Sequence, residues 1–337
     1  MKKKAIILAV AMVAVAALAG VLAWQRYMTK QPVVETKIFK VGLLQFAPIV
    51  SQNMDGFKIG MAELGYKEGV NIRYTYRDAE GNMDNLKKYA KELVDLKPDL
   101  IFVNTSPATK ALLDLTANTT LPVVFSMVAD PLAAGFVKSV ESSGNNLTGT
   151  SCAYVEIAPK RLEILKEVAP NVKRVMVFYR PADLSGNACT EKIIAKAPEL
   201  GMEIIAVPIA KKEDVEAKLK TLKPGEVDAL MDPGDSMVSS VMDVIVSYSN
   251  ALKIPYMALS KGEVVKGATI GYAVDYEDLG KQTALIANQV LSGVNSSDIP
   301  FEMPRRWFFS LNLASAAKIG LVIPAAVLEK ADLVVKE

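Results

Sequence analysis

Residues 121–154 read LPVVFSMVADPLAAGFVKSVESSGNNLTGTSCAY. The opening run, 121–128, is a short apolar block of the kind that forms a strand buried on both faces. A turn follows at Ala129-Asp130-Pro131, then a short helical pattern with Phe136, Val137 and Val140 on one side. A polar, glycine-rich passage over 144–150 closes the block, and beyond Tyr154 the pattern of the preceding residues begins again.

That restart is an internal repeat. KVGLLQFAP (40–48) returns as RVMVFYRP (174–181), LGYKEGVNIRYTY from Leu64 as LGMEIIAVPI from Leu200, and PDLIFVNTSP (98–107) as VDALMDPGDS (227–236). LPVVFSM from Leu121 answers to IPYMALS from Ile254, with a looser echo of LTGTSCAY in TIGYAVDY from Thr269. The offset stays at about 130 residues, which makes the chain two similar halves. Within them the pattern predicts strands at 38–46, 71–76, 100–103, 175–179, 203–207, 229–231 and 306–313. Helices are predicted from Met54 to Leu64 with Gly65 past the end, and at 83–96, 159–168, 190–200, 212–222 and 279–291, with two short helical segments at the C-terminus. Ser106 is read as the N-cap of a helix with Pro107 at its first position. Strands alternating with helices give an α/β protein of two doubly wound parallel-sheet lobes.

Composition supports this and narrows the function. The 337 residues suit about two domains, and 51% hydrophobic residues suffice for two cores. Net charge is +2, and without Lys2, Lys3 and Lys4 no basic tract remains to grip nucleic acid. There are no histidines, which excludes a His general base, a Ser-His or Cys-His pair and a His-ligated zinc. Only carboxylate or Ser-Lys pairs could then carry catalysis, and no motif positions one, so the chain is read as a non-enzyme that needs no cofactor.

At the N-terminus MKKK precedes an apolar run over 5–23, with Val21-Leu22-Ala23 as a small-residue cleavage site. The run is long for a signal peptide and long enough to span a bilayer, so residues 1–37 are read as a signal peptide or an uncleaved membrane anchor plus a polar linker. Either way the lysines stay on the cytoplasmic side and the folded part faces outward.

In open parallel sheets, ligands bind beyond the carboxyl ends of the strands. Two such sheets facing each other make a cleft, and polar residues gather at those ends. Gln45, Thr105, Ser106, Ser126 and Asp130 come from the first half, and Asp183, Ser185, Asn187, Asp235, Ser236 and Ser260 from the second, with Thr150 and Asp275 where the chain passes between halves. Each alone is also what a turn or cap requires. The helix start at Ser106 suits a carboxylate, and Asp235 and Asp275 suit an ammonium group, which together describe an amino acid. Tyr154, Tyr179, Tyr276, Phe46 and Phe125 would cover an apolar side chain or serve the core.

GLLQF near the start, LPVVFSMVADPLAAGFVKS, GNNLTGTS, and DYEDLGKQTALIANQVLSG with its proline-flanked terminal strand resemble the ABC-transporter substrate-binding proteins that include tryptophan- and phenylalanine-binding members. The resemblance covers residues 38–334. It implies a type I periplasmic-binding-protein fold: two lobes joined by a hinge of crossing strands, closing like a Venus flytrap on a small ligand, an amino acid and in those members an aromatic one. It also implies an extracytoplasmic monomer that delivers its ligand to an ABC permease with a separate ATPase, attached to the membrane only if the N-terminal segment is uncleaved. By the same fold type, lobe 1 takes 38–149 and 276–302, and lobe 2 takes 150–275 and 303–337. The chain departs from the family pattern at Arg180-Pro181, where Asn-Pro is common, and at Gly234-Asp235-Ser236, where Thr-Asp-Asn is common. A second reading keeps the same clamp as a membrane-anchored sensor that signals to a partner. In an exported chain Cys152 and Cys189 are open to a disulfide or to two buried thiols.

Overall fold

The computed structural model describes residue 12 and residues 14–25 and 37–336. The signal or anchor expected over 1–37 lies largely outside those residues; residues 14–25 are helical, in a unit distinct from Phe39–Glu337. Among the described residues no helix is long and apolar enough to cross a membrane.

The main unit opens with β1 (Phe39–Gln45), a 3-10 turn at Pro48–Val50 and α1 (Ser51–Glu63). Then come β2 (Ile72–Asp78), α2 (Met83–Asp95), β3 (Leu100–Asn104), α3 (Ser106–Thr116), β4 (Val123–Val128) and β5 (Leu147–Ser151). The order β2-β1-β3-β4-β5 is wholly parallel, with its reversal point between β1 and β3. Residues 129–146 form turns and bends, not the short helix expected around Phe136. Asp130 there accepts the N–H groups of Leu132 and Ala133, and Gly135 takes φ +69°, so the turn cannot propagate into a helix.

The second half runs α4 (Tyr154–Val168), β6 (Arg174–Tyr179), α5 (Leu184–Lys196), β7 (Glu203–Pro208), α6 (Lys212–Leu219) and β8 (Ala229–Met231). It continues with α7 (Ser236–Ser239), α8 (Met242–Leu252), β9 (Tyr256–Ala258), α9 (Lys261–Val265) and β10 (Ile270–Ala273). Its core order, β7-β6-β8-β9-β10, reproduces the first sheet strand for strand, so the repeat in the sequence is a repeat of topology. α10 (Tyr276–Leu291) follows, then β11 (Phe308–Asn312), α11 (Leu313–Ile319), α12 (Ala325–Leu328) and β12 (Leu333–Val335). β11 pairs antiparallel with β10 and parallel with β12, so the second sheet has seven strands and is mixed where an all-parallel one is expected. The cause is the entry of β11 from the end of the sheet that faces the other lobe.

Both faces of each sheet are covered. Ile101 and Val103 of β3 face one apolar cluster while Leu100 and Phe102 face another; Val175 and Val177 of β6 are divided likewise from Met176 and Phe178. This period of two inside an unbroken apolar run is what a doubly covered parallel strand requires. α10 packs on α1 through glycines: a Cβ on Gly280 would lie 2.1 Å from the Asn53 carbonyl oxygen, and one on Gly56 2.1 Å from that of Glu277.

The chain passes between the sheets three times, at 152–153, 274–275 and 303–307. These crossings are tied sideways. The Ser151 N–H donates to the Glu302 carbonyl and the Glu302 N–H to that of Gly149, both at 2.9 Å, and the Tyr154 hydroxyl donates to that of Tyr276 at 2.9 Å.

Candidate ligand-binding site

A cavity of about 330 Å³ lies where the two reversal points face each other, at the lower end of the size that takes small organic ligands. Its first wall combines Ile49 and Val50 after β1 with Thr105, Ser106, Pro107 and Lys110 after β3. The second combines 182–185 after β6 with Gly234, Ser236 and Ser239 after β8, and Leu259. Met127, Phe136, Cys152, Tyr154 and Tyr276 are apolar or aromatic surfaces between them.

Local rules explain why these groups arrive there. The β4–β5 pairing slips between Phe125 and Val128, with Met127 at φ +57°, and this bulge turns Met127 toward the cavity. Gly149 permits it, since a Cβ there would sit 1.9 Å from the Phe125 carbonyl oxygen. The N-cap of α3 is Thr105, not Ser106 as expected, and it makes no side-chain cap bond. Thr105 holds φ +77° and ψ +151°, a strained setting for a β-branched residue, and its buried Oγ1 has no partner among the described residues. The first N–H groups of α3 lack carbonyl partners within the helix, so this wall offers hydrogen-bond donors and partial positive charge; the Lys110 ammonium one turn on is paired with Asp114.

The second wall has the opposite sign. Asp183 caps α5, its Oδ1 accepting the Gly186 N–H at 2.8 Å and its Oδ2 the Arg180 guanidinium at 2.7 Å. Arg180 also grips Asp235, which is fully buried, with Nε 2.9 and 3.0 Å from its two oxygens. One cation therefore serves two carboxylates, leaving a net charge of about −1 that Asp183 presents to the cavity. Burial raises the Asp183 carboxyl above its ordinary value, against the pull of the α5 N–H.

Thr105, Ser106, Asp183, Ser185 and Ser236 are brought together as wall residues. The other sequence candidates stand off it. Gln45 donates to Asp78 at 2.8 Å, Asn187 donates to Glu191 at 2.8 Å and Asp130 holds its turn. Ser126 and Thr150 share a buried hydrogen bond of 3.1 Å beneath α10. Ser260 caps α9 in a reciprocal pair with Glu263. Asp235 is fully buried behind Arg180 and the Met237 N–H it caps and does not line the cavity, so an ammonium group has no access to it. Asp275 caps α10, pairs with Lys261 and faces a separate crevice of about 310 Å³ beside Arg305 and Arg306.

Of the aromatic candidates, Tyr154 and Tyr276 reach the cavity, whereas Phe125 is in the core. Cys152 and Cys189 are free and buried, and burial raises both thiols, Cys189 to about 12, so neither is a nucleophile at neutral pH.

The profile of the ABC transporter substrate binding protein family matches residues 40–335. A tyrosine-binding protein of Clostridioides difficile (strain R20291) is 30% identical over 262 residues, 77% of this chain and 74% of that one. Among solved structures, an ABC domain from Streptococcus pneumonia in complex with L-Trp overlays with a TM-score of 0.82 at 27% identity, covering 89% of this chain and all of that one. The ligand-free, open structure of CD0873, a substrate-binding protein with adhesive properties from Clostridium difficile, overlays at 0.68 with 29% identity and the same coverage. An allitol-bound solute-binding protein from Agrobacterium vitis, 14% identical with a TM-score of 0.59, shares the fold.

Proposed function

We propose, on the premise that the chain belongs to the ABC transporter substrate-binding proteins, that it captures an aromatic amino acid between its two lobes and delivers it to a membrane permease. The family binds solutes and does not turn them over. The observation that carries the reading is the cavity between the two reversal points, with the free N–H donors at the start of α3 on one wall and Asp183 on the other. A zwitterion satisfies both: its carboxylate meets the start of α3 and the unpartnered Thr105 hydroxyl, and its ammonium meets Asp183. Met127, Phe136, Tyr154, Tyr276 and Leu259 then surround the side chain, and a flat ring fits that lining. The tighter overlay on a ligand-bound relative than on an open one supports reading this arrangement as the closed clamp. The folded unit works on the outer face of the cytoplasmic membrane, carried there by the N-terminal segment.

Titration calorimetry with L-tryptophan, L-tyrosine and L-phenylalanine tests this. At least one is expected to bind at micromolar concentration or tighter. Asp183→Ala is expected to weaken it about a hundredfold, the usual scale for truncating one partner of a buried charge pair. Unchanged affinity in a folded Asp183→Ala protein removes Asp183 from the site.

A further inference from the structure

Directly behind the second wall sits a charged cluster that is almost wholly buried. Arg161 of α4, Asp232 after β8 and Glu263 of α9 are 0%, 0% and 3% exposed. Each carboxylate lies one hydrogen bond from the cavity. Asp232 accepts the Gly234 N–H at 2.8 Å and the Ser239 hydroxyl at 2.6 Å, and Glu263 accepts the N–H of Leu259 at 3.1 Å. Gly234, Ser239 and Leu259 are wall residues.

One guanidinium stands among two carboxylates: the Asp232 N–H donates to the Met257 carbonyl, Arg161 Nη2 to that of Ala258 at 3.0 Å, and Glu263 accepts from Leu259. An uncompensated buried charge is costly. The hydrogen bonds fall differently on the two carboxylates. Asp232 uses both oxygens as acceptors, Oδ1 toward Gly234 and Asp235 and Oδ2 toward Ser239. Glu263 takes all its donors on Oε2, from Leu259 N–H and from the Ser260 N–H and hydroxyl, and its buried Oε1 has no partner among the described residues. The same neighbourhood holds unmet donors, Arg161 Nε and Nη1 and the Tyr256 hydroxyl. Tyr154 and Tyr276, from α4 and α10, also feel the Glu263 charge. Burial, followed by the Asp232 charge, raises Glu263 to about 7.

We propose that ligand capture is proton-linked: an ammonium group against the second wall draws the Arg161–Asp232–Glu263 cluster into its fully ionised form, and the Glu263 Oε1 proton leaves to solvent. This rests on the amino-acid reading above. The three residues act as positioning groups, since none touches the ligand. A nearby cation favours a carboxylate over a carboxyl group. The sign follows: affinity is highest above pH 7 and falls as the pH drops through it.

Calorimetry of the wild-type protein with L-tryptophan and L-tyrosine, in phosphate and in Tris at pH 7, is expected to show release of roughly half a proton per ligand, with affinity about fivefold weaker at pH 6 than at pH 8. Glu263→Gln, which imitates the protonated form, is expected to hold affinity at its low-pH value throughout and to abolish the buffer dependence. Tight wild-type binding with a buffer-independent enthalpy and a flat pH profile overturns the proposal and leaves the amino-acid reading standing. Binding of none of L-tryptophan, L-tyrosine and L-phenylalanine overturns both. A Glu263→Gln protein that keeps the wild-type pH profile assigns the proton elsewhere and also overturns it; should that variant not fold, the wild-type measurements decide alone.

Discussion

Gly280→Val is expected to destabilise the main unit by about 4 kcal/mol or more, read as a lowered midpoint in guanidinium unfolding. The two helices α1 and α10 meet backbone to backbone. A Cβ at Gly280 would stand 2.1 Å from the Asn53 carbonyl oxygen and 2.7 Å from the Phe57 nitrogen, and neither can swing away as a side-chain tip can. Relief requires the helices to part. That would strip Phe57 from its stack on Phe102 and break the bonds from Asn53 to Ser126 and to the Tyr276 carbonyl. Gly262→Ala is the contrasting control. Its nearest neighbour would lie 3.7 Å away, and the change should fall within about 1 kcal/mol of wild type, on the stabilising side. Equal losses at the two positions would show that helix contact is not what Gly280 serves.

The second large effect is expected at Arg161. Arg161→Met keeps much of the stem's volume but leaves Asp232 and Glu263 buried without a cation, at a cost of about 3–5 kcal/mol. It also removes the hydrogen bond to the Ala258 carbonyl at 3.0 Å. The loss should depend on pH in a direction fixed by Glu263, whose carboxyl rises from 4.5 to about 7 on folding. Between those values the folded state holds a proton that the unfolded chain has released, so this group's contribution to stability declines as the pH rises from about 4.5 to 7. Without Arg161 ionisation is harder still, and the deficit against wild type should be larger at pH 8 than at pH 5.5. Thermal unfolding of both proteins at those two pH values checks it; a deficit that shrinks as the pH rises would mean the guanidinium does not compensate the pair.

The halves could be read in the sequence because each repeats an apolar run, a helix and a turn at one spacing, and burial on both faces of a parallel strand writes itself as such a run. Less could be read where long-range geometry decides. Leu333–Val335 forms a strand only because β11 offers an edge, and three residues carry no period. Thr105, Ser106, Asp183, Ser185 and Ser236 were accessible to reasoning from strand ends. Lys110 was missed, although it stands one turn beyond Ser106 in SPATK and lines the cavity. Met127 was not legible: a bulge against Gly149 aims it, and its residue type says nothing of that. Asp235 and Asp275 carry the right chemistry, but Asp235 is fully buried and Asp275 faces the separate crevice, which only the packed structure reveals.

The three passages of chain between the sheets have a mechanical consequence. Laced to one another by the Ser151–Glu302 and Glu302–Gly149 bonds and by the two tyrosine hydroxyls, they behave as a strap wider than it is thick. Such a strap folds easily about one line and resists being wrung or slid. On the proposed function the lobes would open through a single angle, and a permease reading that angle would distinguish a loaded clamp from an empty one without touching the cargo.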